Sequence, residues 1–424
     1  MSFIKTIQRT PLFRITSMNS LSVVLKIGIG LITSKVIAVF IGPTGLALVG
    51  NLRNFISTIE SFATLGFQNG IVKYIADAKN DSEKQKKIIS TVFLTLLSIV
   101  LVLSIILFGF ANYWNAIIFN NSYQYQSVFR FLALALPWYA ASIILNAIIN
   151  GLGKFRNVIT INIIGNIIGF LFSVIVIWKY KTFGALLSII IPPSLLFFVS
   201  FYFINKEIPF VQSIKRSWFD IQILKDLSSY SLMAVVSSVL GPVVLLAIRS
   251  NIINTLSIEQ AGFWEAISRI SSYYMLFIST ILTVYFLPKL AFATNKKATK
   301  NVFLSYYKGI MPLFIIGLVV LYFMRIYIIK LILTPAFLPV SGLFFWQIIG
   351  DIFKAASIIL GYQFFAKKLT KAFIITEIIS LGLFYFFSNF LMKTYGIEGV
   401  VMAYAINYFL YFSILVYYFR KIIF

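Results

Sequence analysis

Apolar residues run along this chain in membrane-length stretches separated by short polar clusters. A helix needs about 20 predominantly apolar residues to cross a bilayer. The pattern predicts twelve such helices, at about 19–41, 45–70, 88–111, 128–150, 157–178, 183–204, 228–252, 259–287, 302–323, 341–363, 370–392 and 397–419. The longest break, 205–227, carries Pro209, Lys215, Arg216, Asp220, Lys225 and Asp226. It divides the helices into two sets of six. The expected organisation is an N-terminal lobe over 1–210, a cytoplasmic linker over 211–227 and a C-terminal lobe over 228–424.

Polar residues inside these stretches are as informative as the apolar ones. The first two predicted helices meet at Gly42-Pro43 and carry Lys26, Lys35, Arg53 and Glu60. A charge at mid-bilayer costs about 2.5–3.5 kcal/mol, so such residues are expected to face a bundle interior or a watery cavity. On a helical projection Arg53, Asn54, Ser57, Thr58, Glu60, Ser61 and Thr64 fall on one arc of about 160°, with apolar residues over the rest. The eighth helix has a similar face: Glu265, Ser268, Arg269, Ser272, Ser279, Thr280 and Thr283 share an arc of about 120°, interrupted by Leu276.

The likeness of those two helices belongs to an internal repeat. Ala140–Leu145 and Ala355–Leu360 both read AASIIL, a spacing of 215 residues. In the same register Phe129 matches Phe344, and Tyr180-x-x-x-Gly184 matches Tyr395-x-x-x-Gly399. Two halves with an even number of spans each are parallel repeats related by an axis along the membrane normal. The expected fold is an all-α polytopic membrane protein, with two six-helix lobes around a central cavity that opens to alternate sides. Gly241-Pro242 and Pro192-Pro193 are expected to interrupt the seventh and sixth helices.

Composition agrees. Hydrophobic residues make up 60% of the 424 and charged residues 11%, unlike a soluble protein. Met1–Asn19 has no cleavable signal pattern. Cysteine and histidine are both absent, which excludes disulfides, thiol catalysis, His- or Cys-based metal centres and the usual neutral-pH proton carrier. No cofactor is implied, and no Gly-x-x-x-x-Gly-Lys-Ser/Thr loop argues for an ATPase. The net charge of +24 could mark a nucleic-acid binder in a soluble protein. Here, sorting the basic residues with the N-terminus inside puts 24 of the 36 on cytoplasmic segments, Lys5 and Arg9 among them, five outside and seven within spans. That bias puts both termini in the cytoplasm, with no nucleic-acid partner.

The seven intramembrane bases are Lys26, Lys35, Arg53, Arg130, Arg249, Arg269 and Lys354, against four acids, Glu60, Glu265, Asp351 and Glu377. Glu265 and Arg269 can bridge at i, i+4, and Asp351 and Lys354 are expected to pair. Arg130 reads as interfacial. Lys26 and Lys35 are half a turn out of phase, so a straight helix turns only one of them to a cavity. Even after pairing, a basic surplus remains and predicts an anionic substrate. The planar guanidinium fork suits phosphate oxygens. Trp138, Trp264 and Trp346 could stack on a sugar.

The motifs LKIGIG (25–30), SKVIAVFIGPTGLAL (34–48), NLRNF (51–55), NGIVKYIA (69–76), FWQIIGDIFK (345–354) and AKKLTKAFIITEIIS (366–380) carry a family resemblance. In that order they resemble the Wzx-type lipid-linked oligosaccharide flippases, close to the enterobacterial lipid III flippases and O-antigen translocases. Their superfamily also holds the multidrug and toxin extrusion exporters and the lipid II flippases. The motifs around Lys26, Lys35, Arg53, Arg130, Arg249, Asp351, Lys354 and Glu377 look similar to the family's; Glu265 and Arg269 fall outside its pattern.

The resemblance implies a non-enzymatic transporter in the bacterial inner membrane. Its expected substrate is an undecaprenyl-diphosphate-linked oligosaccharide, moved from the cytoplasmic to the periplasmic leaflet. Partners would include the bilayer, a polysaccharide polymerase and a chain-length regulator. Arg53 and Arg249, with Lys26 or Lys35 and with Arg269, are the expected diphosphate ligands. Glu60, Glu265, Asp351, Lys354 and Glu377 are the expected polar cavity residues, through which a proton or sodium ion could exchange. The alternative is an ion-coupled multidrug exporter of the same fold; its cationic substrates favour an acidic cavity.

Overall fold

The computed structural model describes residues 11–119 and 124–423, with side chains from Ser22 onward except at 229–234 and 237. Lys5 and Arg9 lie outside the described residues. The described chain is helical, with no strand among the described residues. Nine segments of it are long and apolar enough to cross a membrane. Their outward faces carry large apolar side chains such as Ile105, Leu134, Trp178, Phe323 and Leu331, as a lipid-facing surface requires.

Three of these segments are far longer than a bilayer is thick. They are α1 (Pro11–Thr64), a 53-residue stretch over Phe155–Glu207, and a 49-residue stretch over Thr370–Tyr418. At 1.5 Å per residue a straight 53-residue helix would extend about 80 Å, against about 30 Å of hydrocarbon. Each is broken once, at Gly42 (φ 62°), Lys181 (φ 50°) and Gly396 (φ 57°). The first break lies immediately before Pro43, but the other two have no proline beside them. The helix Ile221–Thr255 runs through Pro242, and Phe155–Glu207 runs through Pro192-Pro193. The expectation that these prolines interrupt their helices is therefore corrected. A missing N–H is tolerated where neighbours supply other bonds. Beside the second proline pair, Ser142 donates to the Pro193 carbonyl and Ser194 to that of Ala135, each at 3.2 Å.

The repeat is visible in the backbone. Lys181 and Gly396 are separated by the spacing seen in the sequence. At both breaks a glycine three residues on lies against the carbonyl eight residues before it: Gly184 on Val176 and Gly399 on Leu391. A Cβ at either glycine would overlap that carbonyl. The two AASIIL segments share one burial pattern, with Ile143 and Ile358 the only partly exposed members.

Packing divides the chain into two compact units, Met1–Val36 with Phe55–Val239 and Ile37–Asn54 with Leu240–Phe424. Two segments group differently from the lobes read off the sequence. Residues 37–54, on both sides of the Gly42 break, pack in the second unit, where Gly262 lets the Pro43 carbonyl come into contact. The segment 211–220 is anchored within the first unit. Ser90 Oγ donates to the Ser213 carbonyl at 2.6 Å and accepts from Lys215 N–H at 3.1 Å, while Thr91 Oγ1 accepts from Asp220 N–H at 2.9 Å. The first unit's core centres on Phe129, Leu132, Leu136 and Ile144, the second's on Phe337, Phe344, Ile359 and Phe364.

The break geometry predicts opposite effects at its two residue types. Gly399→Ala is expected to destabilise by about 1–3 kcal/mol through overpacking against backbone. Lys181→Gly is expected to raise the thermal midpoint in detergent, because it relieves a positive φ on a residue with a Cβ. A scanning thermal denaturation of the two variants checks both signs.

Candidate functional site

The second unit contains a cavity of about 510 Å³. Its wall includes Arg53, Arg249, Arg269 and Lys354 against the acids Glu265 and Glu377. The arginines arrive from three helical segments. Arg53 lies on the part of α1 that follows the Gly42 break, Arg249 sits near the end of Ile221–Thr255, and Arg269 lies one turn beyond Glu265 on Ile258–Ile281.

All three converge on Glu265. Arg53 Nη1 donates to Oε1 at 3.0 Å, and Arg269 Nε donates to the same oxygen at 3.1 Å. Arg249 Nη2 donates to Oε2 at 2.6 Å, and its Nη1 reaches Asn51 Oδ1 at 3.4 Å. The Arg249 guanidinium lies 5.1 Å from the Trp264 ring centroid, a cation–π contact on a buried ring. Close approach depends on Gly50: a Cβ there would stand 2.5 Å from Glu265 Oε2 and 2.9 Å from Arg249 Cζ.

One carboxylate cannot neutralise three guanidiniums or use all their N–H groups. Glu265, Arg249 and Arg269 are 4%, 2% and 6% exposed. Arg249 Nε and Arg269 Nη2 are buried without a hydrogen-bond partner among the described residues. Such donors are costly in a low-dielectric interior, and an anion entering the cavity would satisfy them. Arg53 is the open member, with 45% of its side chain exposed.

The cavity wall also carries an aromatic and hydroxyl-rich face. Lys354 Nζ lies 5.6 Å from the Tyr404 ring centroid and 5.3 Å from that of Tyr408. Behind it, fully buried Asp351 accepts from Ser271 (2.8 and 2.9 Å), Tyr404 (2.8 Å), Gln347 (3.2 Å) and Tyr274. The expected direct pair between Asp351 and Lys354 is absent among the described residues. Hydroxyls solvate the carboxylate, and the two rings hold the ammonium. Gly350 gives the Tyr404 ring room to approach, since a Cβ there would strike it.

The structure thus brings together Arg53, Arg249, Glu265, Arg269, Asp351, Lys354 and Glu377 within one unit. The i, i+4 bridge between Glu265 and Arg269 forms, as part of a larger cluster. Lys26, Lys35 and Glu60 belong to the other unit. Lys26 is exposed and Lys35 half-buried, while Glu60 accepts from the Tyr139 hydroxyl at 2.6 Å. Arg130 is exposed, 5.8 Å from the Phe108 ring. Of the three tryptophans, only Trp264 lines this cavity, and it is covered by Arg249. Trp138 packs on Phe197 and Phe198, and Trp346 on Phe345. Sequence reasoning missed Gly50, Asn51 and the tyrosines. Tyr404, Tyr408 and Tyr411 are spaced along one helical face, and that spacing was a usable signal.

A family model described as polysaccharide biosynthesis protein matches residues 12–291. The Lipid III flippases of Escherichia coli (strain K12) and Shigella flexneri are each 29% identical over 401 residues, covering 93% of this chain and 94% of theirs. Among solved structures, the inward-facing conformation of a multidrug resistance MATE family transporter of the MOP superfamily has a TM-score of 0.78 at 16% identity, over 95% of this chain and 94% of that one. The Lipid II flippase MurJ in its inward closed conformation has a TM-score of 0.71 at 17% identity, over 97% and 90%. At these identities the two structures are similar in fold.

Two substitutions test how the site is held. Gly50→Ala is expected to force Glu265 and Arg249 apart and to destabilise by about 3–5 kcal/mol, the cost of breaking a buried ion pair. Asp351→Leu leaves the Ser271, Tyr274, Gln347 and Tyr404 donors unsatisfied, at about 1–3 kcal/mol each where they stay buried. Both should lower the recovery of monodisperse protein on size-exclusion chromatography, and full recovery would refute this reading of the packing.

Proposed function

The chain belongs to the polysaccharide biosynthesis protein family, and we propose that it is a flippase. In this reading it moves an undecaprenyl-diphosphate-linked oligosaccharide from the cytoplasmic to the periplasmic leaflet of a bacterial inner membrane. The observation that carries the proposal is the convergence of Arg53, Arg249 and Arg269 on a cavity wall with donors to spare. Three guanidiniums and one carboxylate leave a surplus of about two positive charges, close to the charge of a diphosphate diester. The Lipid III flippase relatives, matched over nearly their whole length, support the lipid-linked substrate.

The architecture supports the same reading. Nine apolar segments, three of them broken once, are consistent with twelve spans in two six-helix lobes. The bias of basic residues supports cytoplasmic termini. The protein acts as a transporter rather than an enzyme. In this reading the arginines of the second unit hold the diphosphate, with Lys26 or Lys35 of the first unit as the further candidate ligands. An inside-negative potential favours outward movement of the head group by about 2.3 kcal/mol per charge per 100 mV, so the potential can bias transport without ATP. Glu60, Asp351 and Glu377 are the candidates for proton or sodium exchange. A polysaccharide polymerase and a chain-length regulator are the expected downstream partners.

The test is transport in proteoliposomes with an imposed potential, using a fluorescent undecaprenyl-diphosphate oligosaccharide and, in parallel, a cationic drug. The expected outcome is potential-dependent appearance of the lipid-linked sugar in the opposite leaflet without drug movement. Drug movement alone would favour an exporter and overturn the proposal. Arg53→Ala and Arg249→Ala should each weaken head-group binding by about 1.5–3 kcal/mol, roughly tenfold to a hundredfold, the worth of a hydrogen bond to a charged group. Arg53→Ala should still express, because Arg249 and Arg269 remain on Glu265; Arg249→Ala, which loses a buried partner, is scored per amount of folded protein. Normal flipping in both variants would sink the assignment of the site.

A further inference from the structure

We infer that Glu265 is an exchangeable internal anion: its carboxylate occupies the focus of the three arginines, and the incoming phosphoryl group competes with it for them. This rests on the flippase reading and adds a release device to the same site.

Glu265 uses both oxygens, yet its three partners present more N–H groups than two oxygens can take. Two of the donors left over, Arg249 Nε and Arg269 Nη2, are buried and unpartnered. Both belong to side chains that line the cavity. A phosphoryl group offers more acceptor oxygens than a carboxylate and suits the guanidinium fork. It can therefore satisfy donors that Glu265 leaves idle.

The hold on Glu265 is also uneven. Arg249 is fixed from several sides, by Glu265, by Asn51 and by the Trp264 ring. Arg269 is tethered on the same helix as Glu265, one turn away. Arg53 binds through one nitrogen and is the exposed member of the cluster. An anion entering the cavity thus meets Arg53 first, and transfer of Arg53 from Glu265 to phosphate exchanges one charge-assisted bond for another. Release runs the other way: the carboxylate returns to the arginines and displaces the head group. A site of three uncompensated arginines would bind a diphosphate tightly and let it go slowly. Glu265 tunes that site for turnover.

Purified full-length protein tests this with inorganic pyrophosphate as the binding probe and the lipid-linked substrate as the transport probe. Glu265→Gln removes the competing charge while keeping the size of the side chain. It is expected to bind pyrophosphate at least tenfold more tightly than wild type. It should also flip with a lower half-saturating concentration and a lower maximal rate. Glu265→Asp keeps the charge on a shorter arm that reaches the arginines less well, and is expected to fall between the two. If Glu265→Gln does not fold, tighter pyrophosphate binding by Glu265→Asp than by wild type carries the inference alone. Equal or weaker binding by both variants would overturn it, as would failure of both to fold, which would make Glu265 a structural anchor. Wild type that neither binds pyrophosphate nor flips the lipid would overturn the flippase reading itself. Wild type that does both, beside variants that do not tighten, would overturn only the exchange.

Discussion

A carboxylate buried among three guanidiniums sets the terms for the second unit. In a low-dielectric interior each of these groups is costly alone, and breaking one buried partnership costs about 3–5 kcal/mol. The cluster therefore constrains everything that brings its members together. Gly50 must lack a Cβ so that Glu265 and Arg249 can meet beside it, and Gly262 must lack one so that the Pro43 carbonyl can settle on the helix that carries Glu265. The break at Gly42 lies within the 37–54 segment that packs there. Trp264 and Asn51 hold Arg249, the least exposed of the three arginines. A charge arrangement thus accounts for two glycines, one tryptophan and the allegiance of about a third of α1.

The second carboxylate of this unit has a different solution. Asp351 is surrounded by hydroxyl and amide donors that hydrogen-bond its oxygens without a direct ion pair. Lys354 lies nearby over the Tyr404 and Tyr408 rings. The two charge clusters share a cavity but differ in what they lack. The arginine cluster is short of acceptors, and the Asp351 cluster is complete. That difference is why the arginines, and not the tyrosine face, carry the argument for an anion.

Much of this was legible in the sequence where one helix sufficed to show it. The polar arcs through Arg53 and Glu265 follow from helical periodicity alone, and the bridge from Glu265 to Arg269 follows from i, i+4 spacing. The repeat was legible because its copies keep the same residues at the same spacing, down to Tyr180 and Tyr395 beside the breaks. What needed more than one helix was not legible. Nothing local to Glu265 reveals that Arg249 and Arg53 share its carboxylate. Nothing near Gly50 reveals that its missing side chain makes room for them. Asp351 and Lys354 are correctly spaced to pair and still find other partners, because Tyr404, fifty residues along the chain, competes for both. The proline pairs misled in the opposite direction. They are strong local signals for interruption, yet both helices run through them, and Phe155–Glu207 breaks instead at Lys181, a single residue with positive φ.

Those single-residue breaks bear on how the chain is made. At Lys181 and Gly396 two apolar arms are joined with almost no connecting loop, and each pair is closed by a glycine against a carbonyl only eight residues away. Contacts so close in sequence form early and quickly. During synthesis each pair can therefore enter the membrane as a preassembled hairpin, with only a short charged turn, Lys179 and Lys181 or Lys393 and Glu398, to carry across. Two adjoining spans then share one insertion event, and the order in which the bundle is built follows the chain in hairpins rather than in single helices.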